Sequence, residues 1–166
     1  MDPHDDGPER DSHDEDIDDD GSLDATITVS ERHTDHSGTH EGDNLEVTVT
    51  EEVDLDGDGE PDVVSTTTTT YLDRDHDGRV EEVHESTITR TDLDGDGVAD
   101  IVDIVASTSR DVDGEGHFEV VDQWEATGID ADGDGTFEGD EITVTHTVDP
   151  DHPHPREHDH DEAADS

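Results

Sequence analysis

The chain has 166 residues, with 54 acidic side chains against 7 arginines and no lysine, which leaves 54 − 7 = 47 net negative charges at pH 7. Only 24% is apolar and 2% aromatic, too little for a core of ordinary density, so composition by itself places the chain beside disordered acidic proteins. This balance disfavours nucleic acid and anionic membrane as partners and makes the compact state depend on counter-ions; with no cysteine there are no disulfides and no thiolate metal sites.

Residues 1–15 carry acid, histidine and proline without a strand pattern and read as a disordered tail. The opening "MDPHDDGPER" lacks the basic and apolar regions of a secretory signal. From Asp16 a repeat takes over. Steps of 19 residues meet Asp35, Asp54, Asp73, Asp92, Asp111, Asp130 and Asp149 in turn. Each aspartate opens a nine-residue acidic loop: "DIDDDGSLD" (16–24), "DHSGTHEGD" (35–43), "DLDGDGEPD" (54–62), "DRDHDGRVE" (73–81), "DLDGDGVAD" (92–100), "DVDGEGHFE" (111–119), "DADGDGTFE" (130–138) and "DPDHPHPRE" (149–157). Six of the eight keep acid at positions 1, 3, 5 and 9 with glycine at 6; the units at 35 and 149 diverge.

The segments between loops, such as "ATITVS", "LEVTVT", "VVSTTTTTYL" and "EITVTHTV", are rich in threonine, valine and isoleucine and several alternate polar with apolar residues. Each predicts one strand of usual length, bounded by glycine and aspartate. One strand and one loop per 19 residues predicts a mainly β array over 16–149, an antiparallel meander of about seven strands forming an open sheet or a barrel. The alternative is a parallel β-solenoid with 19-residue coils, for which no second turn signal is found in each unit. The small apolar count predicts one thin core face. Residues 150–166 read as a second disordered tail, in which His152, His154, His158 and His160 are candidate transition-metal ligands or a solvated tract.

Calcium takes roughly six to eight oxygens, and an acidic loop supplies them from positions 1, 3 and 5, a carbonyl at 7, position 9 and an acid at 12, with glycine at 6 for the turn. The candidate ligands are then Asp16, Asp18, Asp20 and Asp24; Asp54, Asp56, Asp58 and Asp62; and Asp73, Asp75, Asp77 and Glu81. The later units add Asp92, Asp94, Asp96, Asp100 and Asp103; Asp111, Asp113, Glu115, Glu119 and Asp122; and Asp130, Asp132, Asp134, Glu138 and Glu141. The loop ending in Glu141 is the most complete and is expected to bind tightest, and the loop from Asp35 weakest.

These loops resemble the EF-hand calcium loop in their ligand frame, but only seven residues separate position 12 of one loop from position 1 of the next, too few for two helices. They look closer to the calcium loops of integrin-type propellers, where "DxDxDGxxD" joins two strands, and to the tandem acidic "DxDGDG" arrays of bacterial secreted and surface proteins. The resemblance implies calcium binding and a structural role as spacer, surface or matrix element or interaction module; calcium chemistry favours an extracellular or cell-surface setting, although the opening residues carry no secretory signal. It implies no catalysis, and no nucleophile or phosphate-cradling motif stands out. The competing readings are a soluble calcium buffer or store, and a halophilic acidic protein without specific calcium sites. Exposed sheet edges make self-association a further expectation.

Overall fold

The computed structural model describes residues 9–16, 24–34, 44–75 and 77–148. Eight strands follow in chain order: β1 (Glu9–Glu15), β2 (Ala25–Thr34), β3 (Asn44–Val53), β4 (Val63–Leu72), β5 (Glu82–Thr91), β6 (Ile101–Asp111), β7 (Phe118–Ile129) and β8 (Ile142–Val148). They form one open antiparallel sheet in which spatial order equals sequence order. The meander predicted from the repeat is therefore the fold, and the solenoid is not. The described residues form eight strands instead of about seven, because Glu9–Glu15 of the expected acidic tail pairs with β2 along its whole length. Its sequence, "ERDSHDE", has no apolar alternation to announce a strand, and every residue in it is exposed. Residues 1–8 and the other tail, 150–166, lie outside the described residues.

The register explains why near-identical loops recur at 38 residues. Val47 faces Thr69 and Thr69 faces Glu85, and 85 − 47 = 38, so residues 38 apart hold equivalent places two strands along the sheet. Loops 54–62, 92–100 and 130–141 join strand pairs at one end of the sheet, and loops 73–81 and 111–117 at the other. The backbone confirms the grouping. Asp54 donates its N–H to the Asp24 carbonyl (2.9 Å), Asp92 to Asp62 (2.9 Å) and Asp130 to Asp100 (2.8 Å). At the opposite end Asp111 donates to Glu81 (2.9 Å).

The apolar residues do not share one face. In β2 and β3, Val29 lies opposite Val49, and that row continues through Thr67 and Thr87 to Val105. The adjacent row runs Thr50, Thr66, Ile88, Ile104, Ala126, Val144. Neighbouring residues of a strand point to opposite faces, so Val29 and Val49 sit on one side and Ile88, Ile104 and Val144 on the other. The first face stays apolar in the row Ala25, Val53, Val63, Thr91, Ile101, Ile129, and between the two faces the "STTTTT" run of β4 gives both sides hydroxyls. These pair across strands, as in Thr67 with Thr87 (2.9 Å) and Ser65 with Thr89 (3.2 Å). The expectation of one core face is thus replaced by apolar residues on both faces, each partly open to solvent, and the buried apolar side chains among the described residues are Ala25 and Val121. Val121 is the extra residue of a β-bulge: Thr108 faces Asp122 and Ser109 faces Val120. A single layer with so little enclosed apolar surface gains little from hydrophobic burial.

Candidate metal centres

Each loop is scaffolded by its own carboxylates. In loop 92–100, Asp92 Oδ1 accepts the Gly95 N–H (2.8 Å) and Oδ2 accepts the Gly97 N–H (2.7 Å). Asp96 Oδ1 accepts from Val98 N–H (2.8 Å), and Asp100 Oδ2 from Leu93 N–H (2.6 Å). Loop 54–62 repeats this with Asp54 on Gly57 and Gly59, Asp58 on Glu60, and Asp62 on Leu55. Position 1 therefore shapes the turn while position 9 staples its start. The turn explains both glycines of "DGDG": Gly95 and Gly97 have φ of 74° and 83°, a region other residues resist. The sequence reading accounted for the glycine at 6; position 4 follows the same rule.

The scaffold draws acids together. Ligand oxygens lie within 4.8 Å of one another in Asp54, Asp56 and Asp58, in Asp73, Asp75, Asp77 and Glu81, in Asp92, Asp94 and Asp96, and in Asp130, Asp132 and Glu141. A fifth group, Asp113, Glu115 and His117, includes a histidine absent from the expected ligands. It can join because β7 starts at Phe118, which leaves His117 as the last loop residue. The short loop also places Glu119 in the strand, opposite Arg110. Asp111 is outside this group and holds the turn through Gly114 and Gly116.

Position 12 behaves as expected only in the last described loop. Asp103 lies in β6 and accepts a hydrogen bond from Thr127 Oγ1 (2.6 Å), and Asp122 lies in β7 beside His146 Nε2 (2.6 Å). Both are carried away because an extended strand begins directly after or before position 9, and a strand advances about 3.3 Å per residue. In the 130 unit the strand starts later, at Ile142, so Gly139 and Asp140 let the chain return. Glu141 then takes the place that position 9 fills elsewhere: its Oε1 accepts Ala131 N–H (2.9 Å) and its Oε2 the Glu138 N–H (3.1 Å). Glu138 thus enters through its backbone, and Asp134 caps Thr136 (2.9 Å). Asp16 and Asp24 flank a stretch outside the described residues that contains Asp18 and Asp20, and loop 35–43 lies outside them as well.

The same N–H donors govern ionisation. For Asp130 the Gly135 N–H leads, and with Gly133 it outweighs desolvation and holds the carboxyl below its ordinary value. For Asp92 desolvation pushes upward, but the N–H groups of Gly97 and Gly95 more than reverse it. Asp113 is lowered chiefly by the Glu115 N–H, with His117 adding to it. Such loops hold ionised carboxylates close together at neutral pH.

Two packing features fix loop positions. Glu82, 4% exposed at the start of β5, receives Arg74 Nη2 (2.6 Å) and His84 Nε2 (2.6 Å) on Oε1, and Arg110 Nε (2.8 Å) on Oε2. Burial raises its pKa, and the guanidiniums of Arg74 and Arg110 more than offset that, so it stays charged and ties loop 73–81 to β6. At the other end, Phe137 of loop 130–141 packs on Gly128, where an added Cβ would stand 2.7 Å from Phe137 Cδ1. Gly128→Ala is therefore expected to destabilise the fold by about 1–3 kcal/mol through overpacking. The Gly135 amide resonance of the variant should lose ion response before that of Gly97; equal response at both glycines would contradict it.

No protein-family model matches the chain, and no curated protein or solved structure matches it. No helix among the described residues is long and apolar enough to cross a membrane.

Proposed function

We propose that the chain is a calcium-binding structural repeat module whose folding depends on the ion, acting as a spacer, surface or matrix element, or interaction module. One observation carries this: the same hydrogen-bond scaffold recurs in successive loops and, in four of the five described, brings three or four acids within 4.8 Å of one another. Like charges so placed repel unless a cation lies among them. The donors in four of the five groups are carboxylates alone, which suits a hard cation; a set of three or more flexible carboxylates, with carbonyls at hand, fits calcium better than the smaller and more rigid demands of magnesium. The recurring scaffold is built from loop turns and carboxylates alike in each unit, which suits a structural role.

A halophilic acidic surface would need charge but no fixed ligand frame, and a calcium store would need capacity but no continuous sheet. Isothermal titration with calcium and with magnesium, at low salt and in molar potassium chloride, tests the proposal. Several calcium ions bound per chain in both media, with magnesium weaker, is the expected result. Loss of all calcium heat in molar salt would sink it in favour of diffuse counter-ion binding.

A further inference from the structure

The two edges of the open sheet are chemically unlike. On β1, "ERDSHDE" carries five ionisable acid or arginine side chains and a histidine over seven residues. Charge on an edge strand is a common guard against pairing with another chain. On β8, "ITVTHTV" is equally exposed along all seven residues but carries no acid, arginine or proline. It combines β-branched residues, low charge and, among the described residues, backbone donors and acceptors with no strand partner on the side away from β7.

We propose that the β8 edge is a self-association surface whose occupant is β8 of a second copy, joined antiparallel about a two-fold axis through Thr145. That pairing sets Ile142 against Val148, Thr143 against Thr147 and Val144 against His146 of the other chain. No acid meets acid within the strand, and every residue meets one of its own kind of face. It also extends an existing apolar surface. Val144, 63% exposed, lies in the row of Ala126, Ile104 and Ile88. Trp124, 38% exposed, lies opposite His146 in the row beside it. A two-fold perpendicular to the sheet keeps faces aligned, so this apolar half-face would run on into its copy across the joint. The same operation on β1 would set Glu9 against Glu15 and Arg10 against Asp14, twice each, so charge pairing does not by itself bar that edge; what β1 lacks is any β-branched or apolar residue to extend a row. Pairing through β8 alone closes at two copies, an isologous dimer.

The net charge of −47 opposes any such contact. Glu141, next to the strand, adds to the repulsion at the joint, so association needs bound cations or screening. The requirement for calcium rests on the function proposed above; the choice of edge does not. Sedimentation velocity on the full chain, in calcium and separately in chelator with molar sodium chloride, keeps the two apart. Dimer in either medium, with strand circular dichroism retained, is the expected result, and dimer in salt without calcium would leave the edge assigned while removing the calcium reading. Monomer in both media with intact strand signal overturns the proposal and reassigns the edge to a foreign strand.

Because the chain has no cysteine, a single introduced thiol reports the register. Directly opposite residues of an antiparallel pair have Cα atoms about 4.5–5.5 Å apart, inside the range a disulfide spans. Thr145→Cys should cross-link into covalent dimer under mild oxidation, at least about tenfold faster than Ser12→Cys on β1, and Thr145→Asp, which sets two carboxylates face to face, should weaken association about tenfold. Equal cross-linking at both positions overturns the assignment.

Discussion

Chelation at low salt is expected to abolish the strand signal of the whole chain, and millimolar calcium to restore it. The sheet encloses almost no apolar core: Ala25 and Val121 are the buried apolar side chains among the described residues. Ordering a residue costs about 1–2 kcal/mol of backbone entropy. Hydrophobic burial usually offsets most of that sum, and here it cannot. Cross-strand threonine pairs add only tenths of a kcal/mol each. Against them stand groups of acids within 4.8 Å of one another and a net charge of −47. A ligand that binds only the native state contributes about 2.7 kcal/mol per site at a hundredfold excess over its Kd. Several such sites, each also neutralising charge, add a stabilising term that the chelated chain lacks. Circular dichroism in chelator and then in calcium reads it out directly, and native strand signal in chelator at low salt would contradict it.

The repeat, the strands and, in the units at 54, 73 and 92, the gathering of the acids at loop positions 1, 3 and 5 were legible in the sequence because each is a local matter: β-branched runs make strands, and Asp-x-Asp-Gly-Asp-Gly makes a turn. Three things were not. The strand Glu9–Glu15 has no pattern of its own and owes its conformation to the partner register with β2, helped by Thr26 Oγ1 bonding to Asp14 (3.0 Å). The fate of position 12 depends on where the next strand starts, which separates Glu141 from Asp103 and Asp122 although all three share one place in the repeat. Apolar residues fall on both faces because the valines of β3 are at odd positions while Ile88, Ile104 and Val144 form an even row further along the sheet, and that arrangement becomes visible only once the register links the strands. The meander also sorts the described loops by end, with loops 73–81 and 111–117 together. The histidines and arginines of those two loops, Arg74, His76, Arg79 and His117, have no counterpart in loops 54–62, 92–100 and 130–141. The two ends of one sheet have been written in different chemistry.

Asp92→Ala is expected to weaken ion binding at loops 54–62 and 130–141 severalfold while leaving loop 73–81 within about twofold. Loop 92–100 touches both same-end neighbours through the backbone, donating from Asp92 to Asp62 and accepting at Asp100 from Asp130. Removing the Asp92 carboxylate frees the Gly95 and Gly97 amides, so the turn that aims both contacts loses its brace. Electrostatics alone would act the other way, since an empty neighbour leaves a stronger negative field for the next cation. That effect is small at physiological salt: the loops stand two strands apart, about 9.5 Å, which exceeds the Debye length of about 8 Å. Loop order passes through hydrogen bonds and is not screened. The position-6 glycine amides Gly59, Gly78 and Gly135 each bond to the first aspartate of their own loop and give separate nuclear magnetic resonance reporters. In a calcium titration of the variant, run where its strand signal is retained, the midpoints at Gly59 and Gly135 should move to higher calcium and that at Gly78 should stay. Equal movement at all three would mean that coupling runs through global folding and not along one end of the sheet, and equal midpoints to wild type would mean that each loop binds alone.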